Sequence, residues 1–348
     1  MLSYKSKNSQ GDILTTAYVT GVPILIYSLG IRDANIRKVV LVKILSDSQR
    51  AGIRPFKVSS DAMSEICQIL GLEFKEMEAQ ELTLKNNPFS AGDLVDCQVI
   101  YKIKTVSFDQ RVKVLALQHE YVNFKRPSIF KGYSPSLRKR IDLLVKLVIP
   151  FRLFKYYGLA LKPKPHGLLK ELPIDHYQVQ KYRKKIFDGL AKVEGFRVLK
   201  TLRRENAGSK VCIVFPFAKH WGGTDELNKK LFRLALDEHR NGGFDKLIIK
   251  NHPSDPQTYS EILPAELRSI NPTVISDVFD RTIPIEIIVE AFESYRFIGT
   301  ESTAFMTLSP FVSDPTIIVD SELQISKRYQ KYVSGETRKQ YLNQVIRI

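Results

Sequence analysis

The order of apolar and polar positions along the chain predicts strands alternating with helices. Residues 14–20 (LTTAYVT) read as a short strand, followed by a turn at Gly21, Val22 and Pro23 and an apolar run of helical length over 24–31. A second apolar strand is predicted at 39–44, then a helix over about 61–70 with Ser59 or Ser60 as its N-cap. Strands follow at 95–103 and 112–117, the latter a nearly continuous apolar run of the kind buried on both faces of a sheet. Strands that alternate with helices predict a parallel sheet.

The periodicity weakens between about 163 and 208, where Pro163, Pro165, Gly167 and Pro173 precede a charged segment. Alternation then resumes. Strands are predicted at 210–215, 246–250, 273–275, 295–298 and 316–319. Helices are predicted at 225–239, at 284–292 and from about Ser302. Thr224, with Asp225 and Glu226 behind it, marks the first of these helix starts, and His239, Arg240, Gly242 and Gly243 mark its end. The expected class is α/β with two Rossmann-like domains facing across a cleft. The first domain covers 1–165, a linker or helical junction 166–208, a second Rossmann-like domain 209–330, and a terminal helix 331–348. Ligands of such sheets bind beyond the carboxyl ends of the strands.

A length of 348 residues fits two domains, and 43% hydrophobic with 26% charged residues excludes a largely disordered chain. Three scattered cysteines, Cys67, Cys97 and Cys212, argue against a disulfide framework or a structural zinc site. Lys and Arg number 53 against 37 Asp and Glu, a net charge of +16 that suits polyanionic partners without choosing among them. The polar N-terminus lacks the order of a secretory signal, so a cytoplasmic location is expected. The greasy stretch 141–158 is too interrupted by Lys146, Arg152 and Lys155 to span a bilayer.

Three short segments at strand ends could carry chemistry. In LIIKNHPSD, Pro253 restrains His252 just beyond a strand, where an imidazole can donate to a departing phosphate oxygen; a turn proline beside an incidental histidine is the plain alternative. In FIGTESTAF, Gly299 allows a tight turn, and Ser302 and Thr303 open an apolar helix whose free N–H groups suit an anion. Simple N-capping gives the same pattern. In LALQHEYVNF, Glu120 follows a strand and could take a proton from an attacking hydroxyl, or it could be a solvated loop acid.

Taken together, these segments resemble the motifs of bacterial sialyltransferases and polysialyltransferases of two-Rossmann, or GT-B, architecture. Those families carry an acidic D/E-D/E-G motif, then H-P, then S-S or S-T. Here the order is His119-Glu120-Tyr121, His252-Pro253 and Ser302-Thr303, so the first motif departs from the pattern while the other two match. The resemblance implies an inverting glycosyltransferase. Glu120 would deprotonate the acceptor, His252 would act as acid towards the donor phosphate, and Ser302 and Thr303 would hold it. Glu286 is the candidate acid for the nucleotide ribose, with a water-facing helix acid as its alternative. Pro216, Phe217, Gly222 and Gly223 are candidates for the cytidine loop, with ordinary turn residues as theirs.

The implied donor is a CMP-activated sugar and the acceptor a saccharide or glycolipid of surface polysaccharide or lipooligosaccharide synthesis. No cofactor and no metal are expected, since one phosphate can be balanced by an imidazole and a helix start. The basic amphipathic segment 136–158 suggests peripheral contact with an anionic membrane face, such as the inner membrane; a core-packed helix with a solvated basic side is the alternative. One rival is a CDP-polyol phosphotransferase of teichoic-acid type, which would share the histidine and the hydroxyls. Another is a basic nucleic-acid-binding protein, for which no helix-turn-helix, RNP or zinc pattern speaks. A catalytically silent relative is the third, given the altered first motif.

Overall fold

A computed structural model describes residues 12–17, 21–43, 60–81, 93–96, 99, 113–116, 155–158, 169–171, 174–217, 223–251, 259–275, 283–299, 308 and 311. The described strands form two parallel sheets, in agreement with the α/β class expected from the sequence. The first contains β1 (Asp12–Ala17), β2 (Ile36–Lys43), β3 (Glu73–Glu78), β4 (Leu94–Asp96), β5 (Lys113–Ala116), β6 (Lys155–Gly158) and β7 (Leu169–Glu171), in the order β3-β2-β1-β4-β5-β6-β7. The second contains β8 (Lys210–Phe215), β9 (Lys246–Ile249), β10 (Thr273–Val274) and β11 (Ser294–Gly299), in the order β10-β9-β8-β11. In each sheet the first strand lies inside, and successive strands are added first on one side and then on the other. The strand order therefore reverses between β1 and β4 and again between β8 and β11. These are the points where ligands of open parallel sheets bind.

The second sheet shows why its strands were legible. In β8, Val211, Ile213 and Phe215 enter one apolar cluster while Cys212 and Val214 enter another, so both faces are buried with a period of two. The cluster holding Val211 and Phe215 also takes in Leu14, Leu41 and Leu115 of the first sheet. One continuous core thus joins the two units. The buried thiol of Cys67 belongs to this core and that of Cys212 to the other cluster, and burial pushes Cys67 up to about 12.

Helix α1 (Gly21–Ser28) follows β1, and α2 (Ser60–Leu70) precedes β3. Helix α3 (His176–Leu190) and α4 (Arg197–Glu205) link the sheets. Asp175 caps α3 by accepting from the Gln178 amide, and its own amide donates to the Gly30 carbonyl at 2.7 Å. Gly30 is required at this approach, because a Cβ there would run into the Val179 side chain and the Asp175 carbonyl. In the second unit α5 (Asp225–Arg240) is capped by Thr224 as expected, α6 is Ala265–Ser269, and α7 (Ile285–Ile288) continues into a 3-10 turn, Val289–Ala291.

Helix α3 packs against α1 and α2 of the first unit and against α7 of the second. Its buried stripe is Val179, Arg183, Ile186, Phe187 and Leu190. Arg183 is 2% exposed and pairs with Glu290 at 2.6 Å, while its guanidinium lies 4.5 Å from the centre of the Phe311 ring. A second link comes from α4. Arg203 pairs with Asp188 at 2.8 Å, lies over the Phe187 ring and donates to the Glu290 carbonyl.

Several elements differ from the sequence-based expectation. Gly21, Val22 and Pro23 begin α1 instead of a turn, which is tolerable because amides in the first helical turn have no intrahelical partner. β3 (EFKEME) was not expected at all. It is an edge strand whose acids meet lysines of β2, Lys38 with Glu73 and Lys43 with Glu76 and Glu78, so it carries no strong apolar signal. The basic segment 136–158 ends in β6, paired with β5, so its last four residues are a strand and not part of a helix; residues 136–154 lie outside the described residues. β7 lengthens the first sheet beyond residue 165, into the expected junction. The helix from Ser302, the strand 316–319 and the helix 331–348 also lie outside the described residues. No helix among the described residues is long and apolar enough to cross a membrane.

Breaking the buried pair gives a test. Burial raises the Glu290 carboxyl above its ordinary value, while the Arg183 guanidinium pulls it back down. A group raised in the folded state contributes stability below its unfolded pKa and loses it as pH climbs through the folded one. Arg183→Leu is expected to cost about 3 to 5 kcal/mol. It should also push Glu290 higher, so the variant keeps losing stability with rising pH over a wider window above the usual carboxylate range. Urea unfolding across pH checks both effects. An equal pH dependence in variant and wild type would contradict the coupling.

Candidate functional site

The carboxyl ends of β8 and β11 lie side by side, with Gly299 opposite Phe215 in the register. Beyond β8 the chain passes through Pro216 and Phe217, and there Asn228 of α5 holds it at both backbone groups. The Phe217 amide donates to Asn228 Oδ1 at 2.8 Å, and Asn228 Nδ2 donates to the Phe217 carbonyl at 3.2 Å. Asn228 is fully buried and stands in the apolar stripe of α5 beside Leu227, Leu231 and Phe232. A buried amide that serves two backbone groups of one residue fixes how the β8 loop leaves the sheet. Gly223 closes that loop one residue before the Thr224 cap. On the other side of β8, the amide of Lys250 just beyond β9 donates to the Val214 carbonyl at 2.9 Å, which extends the pairing past the end of the strand.

The reversal point of the first sheet has a similar lock. Asp96 ends β4 and is fully buried, and its Oδ2 accepts both the Thr16 hydroxyl at 2.9 Å and the Ala17 amide at 3.1 Å. Asp93 Oδ1 takes the Ile13 amide at 3.0 Å at the other end of the same strand pair. A carboxylate that bridges two adjacent strand ends fixes the exit of β1, where the segment 18–20 begins.

Of the residues singled out in the sequence, Gly299, Pro216, Phe217 and Gly223 are described, and the first three meet at the β8 and β11 ends. Glu286 is also described. It is 5% exposed, which rules out the water-facing alternative. Its charge acts on the phenol of Tyr27 on α1, which burial and that carboxylate together hold well above its ordinary value. Glu120, His252, Pro253, Gly222, Ser302 and Thr303 lie outside the described residues. Asn228 and Asp96 were missed. The signal for Asn228 was a polar residue in an otherwise apolar helical stripe, and for Asp96 a carboxylate inside an apolar strand run. Among the described residues no group of three or more His, Cys, Asp and Glu stands together as a metal site.

No protein-family model matches the sequence, and no curated protein matches it. Solved structures do show likeness. A sialyltransferase from Photobacterium damselae, described as its GT-B domain, aligns at 11% identity over 96% of this chain and 98% of that chain, with a TM-score of 0.44. Another structure, titled as the sialyltransferase from Photobacterium damsela, aligns at 11% identity over 97% of this chain and 82% of that chain, also with a TM-score of 0.44. A putative UDP-N-acetylglucosamine 2-epimerase from Listeria monocytogenes aligns at 9% identity over 89% of this chain and 80% of that chain, with a TM-score of 0.42.

Asn228→Ala should leave the Phe217 amide and carbonyl without partners, at about 1 to 3 kcal/mol for a buried group so stranded. Amide hydrogen exchange at Phe217 should quicken with little change along β9. Unaltered exchange at Phe217 would show that the loop is held by something else.

Proposed function

We propose that the chain is a glycosyltransferase that moves a sugar from a CMP-activated donor to a saccharide acceptor with inversion. The observation that carries this is the strand order of the second sheet. β9 and β11 flank β8, and the sequence sets His252 three residues past the end of β9 and Ser302 three residues past the end of β11. Strands two apart lie roughly 10 Å from one another, and three residues of chain reach at most about 10 Å. On this proposal the imidazole and the pair of hydroxyls, carried by segments that leave the two strands flanking β8, meet at one phosphate. The Asn228 lock fixes the first residues beyond β8, the strand that lies between β9 and β11.

In this mechanism Glu120 takes the proton of the acceptor hydroxyl, and the oxygen attacks the anomeric carbon from the face opposite the phosphate. The bond from that carbon to the phosphate oxygen breaks. His252 donates to the leaving phosphate, and Ser302, Thr303 and the helix start hold its remaining oxygens. Such electrostatic support accounts for about 2 to 4 kcal/mol of barrier per donor in comparable sites. Proton transfer by Glu120 needs hydrogen-bond reach in the bound complex.

The donor class is tested first by thermal shift with CMP, CDP, UDP and GDP, where CMP should stabilise most. Nucleotide release from CMP-sialic acid should then exceed release from CDP-glycerol. Turnover of CDP-glycerol alone would overturn the proposed donor in favour of polyol phosphate transfer. His252→Ala should lower turnover about a hundredfold or more with unchanged melting, and full activity in that variant would remove the imidazole from the mechanism. Normal acceptor transfer by Glu120→Gln would mean that another group is the base.

A further inference from the structure

Helix α3 has a second face that neither sheet uses. Tyr177, Lys181, Lys184, Lys185 and Asp188 recur at helical spacing on the side opposite the buried stripe of Val179, Ile186 and Leu190. Tyr177 is 73% exposed, an unusual state for a large aromatic residue, and the three lysines are exposed. None of the three forms a salt bridge with a described residue. At its far end the stripe meets α4 through the Asp188 to Arg203 pair, and Lys200 and Arg204 of that helix are also exposed. Residues 175–205 hold nine Lys and Arg against four Asp and Glu, so this short hairpin carries a disproportionate part of the chain's +16.

The chemistry of this face selects its partner. Among the described residues it is the outer surface of a helix and not a groove, with no walls to enclose a single ligand. Its unpaired cations are lysines, which attract diffusely as point charges, whereas bidentate recognition of individual phosphates favours arginine. An exposed tyrosine with an apolar ring and a polar tip suits the depth of a lipid headgroup layer, beside lysines whose stems can lie along the surface. We propose that the outer face of α3, with the adjoining end of α4, docks on an anionic phospholipid bilayer. Lys181, Lys184 and Lys185 face the lipid phosphates there, and Tyr177 enters the headgroup region. These residues belong to 175–205, a stretch of sequence separate from 136–158, and the proposal does not rest on the proposed glycosyl transfer.

The test is co-sedimentation of the full chain with vesicles of phosphatidylcholine alone and with vesicles that also contain phosphatidylglycerol. Binding is expected only to the anionic vesicles and should weaken as salt is added. The triple substitution Lys181→Gln, Lys184→Gln and Lys185→Gln should lower affinity on the order of a hundredfold. Lys→Arg at the same three positions should restore it, and Tyr177→Ala should weaken binding at unchanged charge. A control triple, Lys210→Gln, Lys229→Gln and Lys246→Gln, removes the same charge from the second unit and should bind nearly as wild type does. Unchanged melting of the variants shows that they fold, as expected for exposed sites. The proposal is overturned if wild type ignores the anionic vesicles, if the α3 triple binds normally, or if the control triple loses as much. It is also overturned if heparin captures wild type at salt that releases the vesicles, which would assign the face to a linear polyanion.

Discussion

A guanidinium in an apolar interior must be met by opposite charge, and Arg183 meets it in Glu290 at 2.6 Å. The two residues come from different parts of the architecture. Arg183 lies on the helix that links the sheets, and Glu290 lies in the turn that leads into the last described strand of the second. The Phe311 ring covers the guanidinium, and Arg203 adds a bond to the Glu290 carbonyl. Because the apolar cluster around α3 also contains strand residues of both sheets, the pair fixes the helix within a core that the units share. An apolar side chain at position 183 would satisfy burial alone and would leave the Glu290 carboxyl without its compensation.

On this frame each sheet carries a polar lock where its strand order reverses. Asp96 ties β4 to the end of β1, and Asn228 holds the first residues beyond β8. Both side chains are fully buried, although the segments they fix are loops. Rigid loop exits matter for transfer chemistry, since small displacements of a reacting group carry large costs in rate. The proposed donor phosphate would sit beside the second lock and the acceptor beyond the first sheet.

The sequence made legible those elements whose own residues decide their structure. β8 and β9 are short apolar runs buried on both faces, and Thr224 with two acids behind it announces α5. β3 was hidden because its acids are matched by lysines on the neighbouring strand, a pairing that exists only once the sheet forms. Helix α3 falls within the expected linker or helical junction, but its bounds were hidden because Arg183 interrupts its apolar stripe, and its role as a link depends on a partner more than 100 residues away. The same division applies to the site. Gly299 and Phe217 could be placed at strand ends from local pattern, whereas the burial of Glu286 beside α1 and the double bond of Asn228 to Phe217 depend on tertiary contacts. The basic stripe 136–158 shows the converse error, since charge and helical spacing suggested a helix where sheet pairing imposes a strand on its final residues.

Amide hydrogen exchange of the full chain with and without CMP tests the central claim most directly. Binding at the reversal point of the second sheet predicts slowed exchange in peptides covering 216–223, 250–254 and 299–304, with the first sheet's strands unchanged. Protection confined to the first unit, or none at saturating CMP, would contradict it.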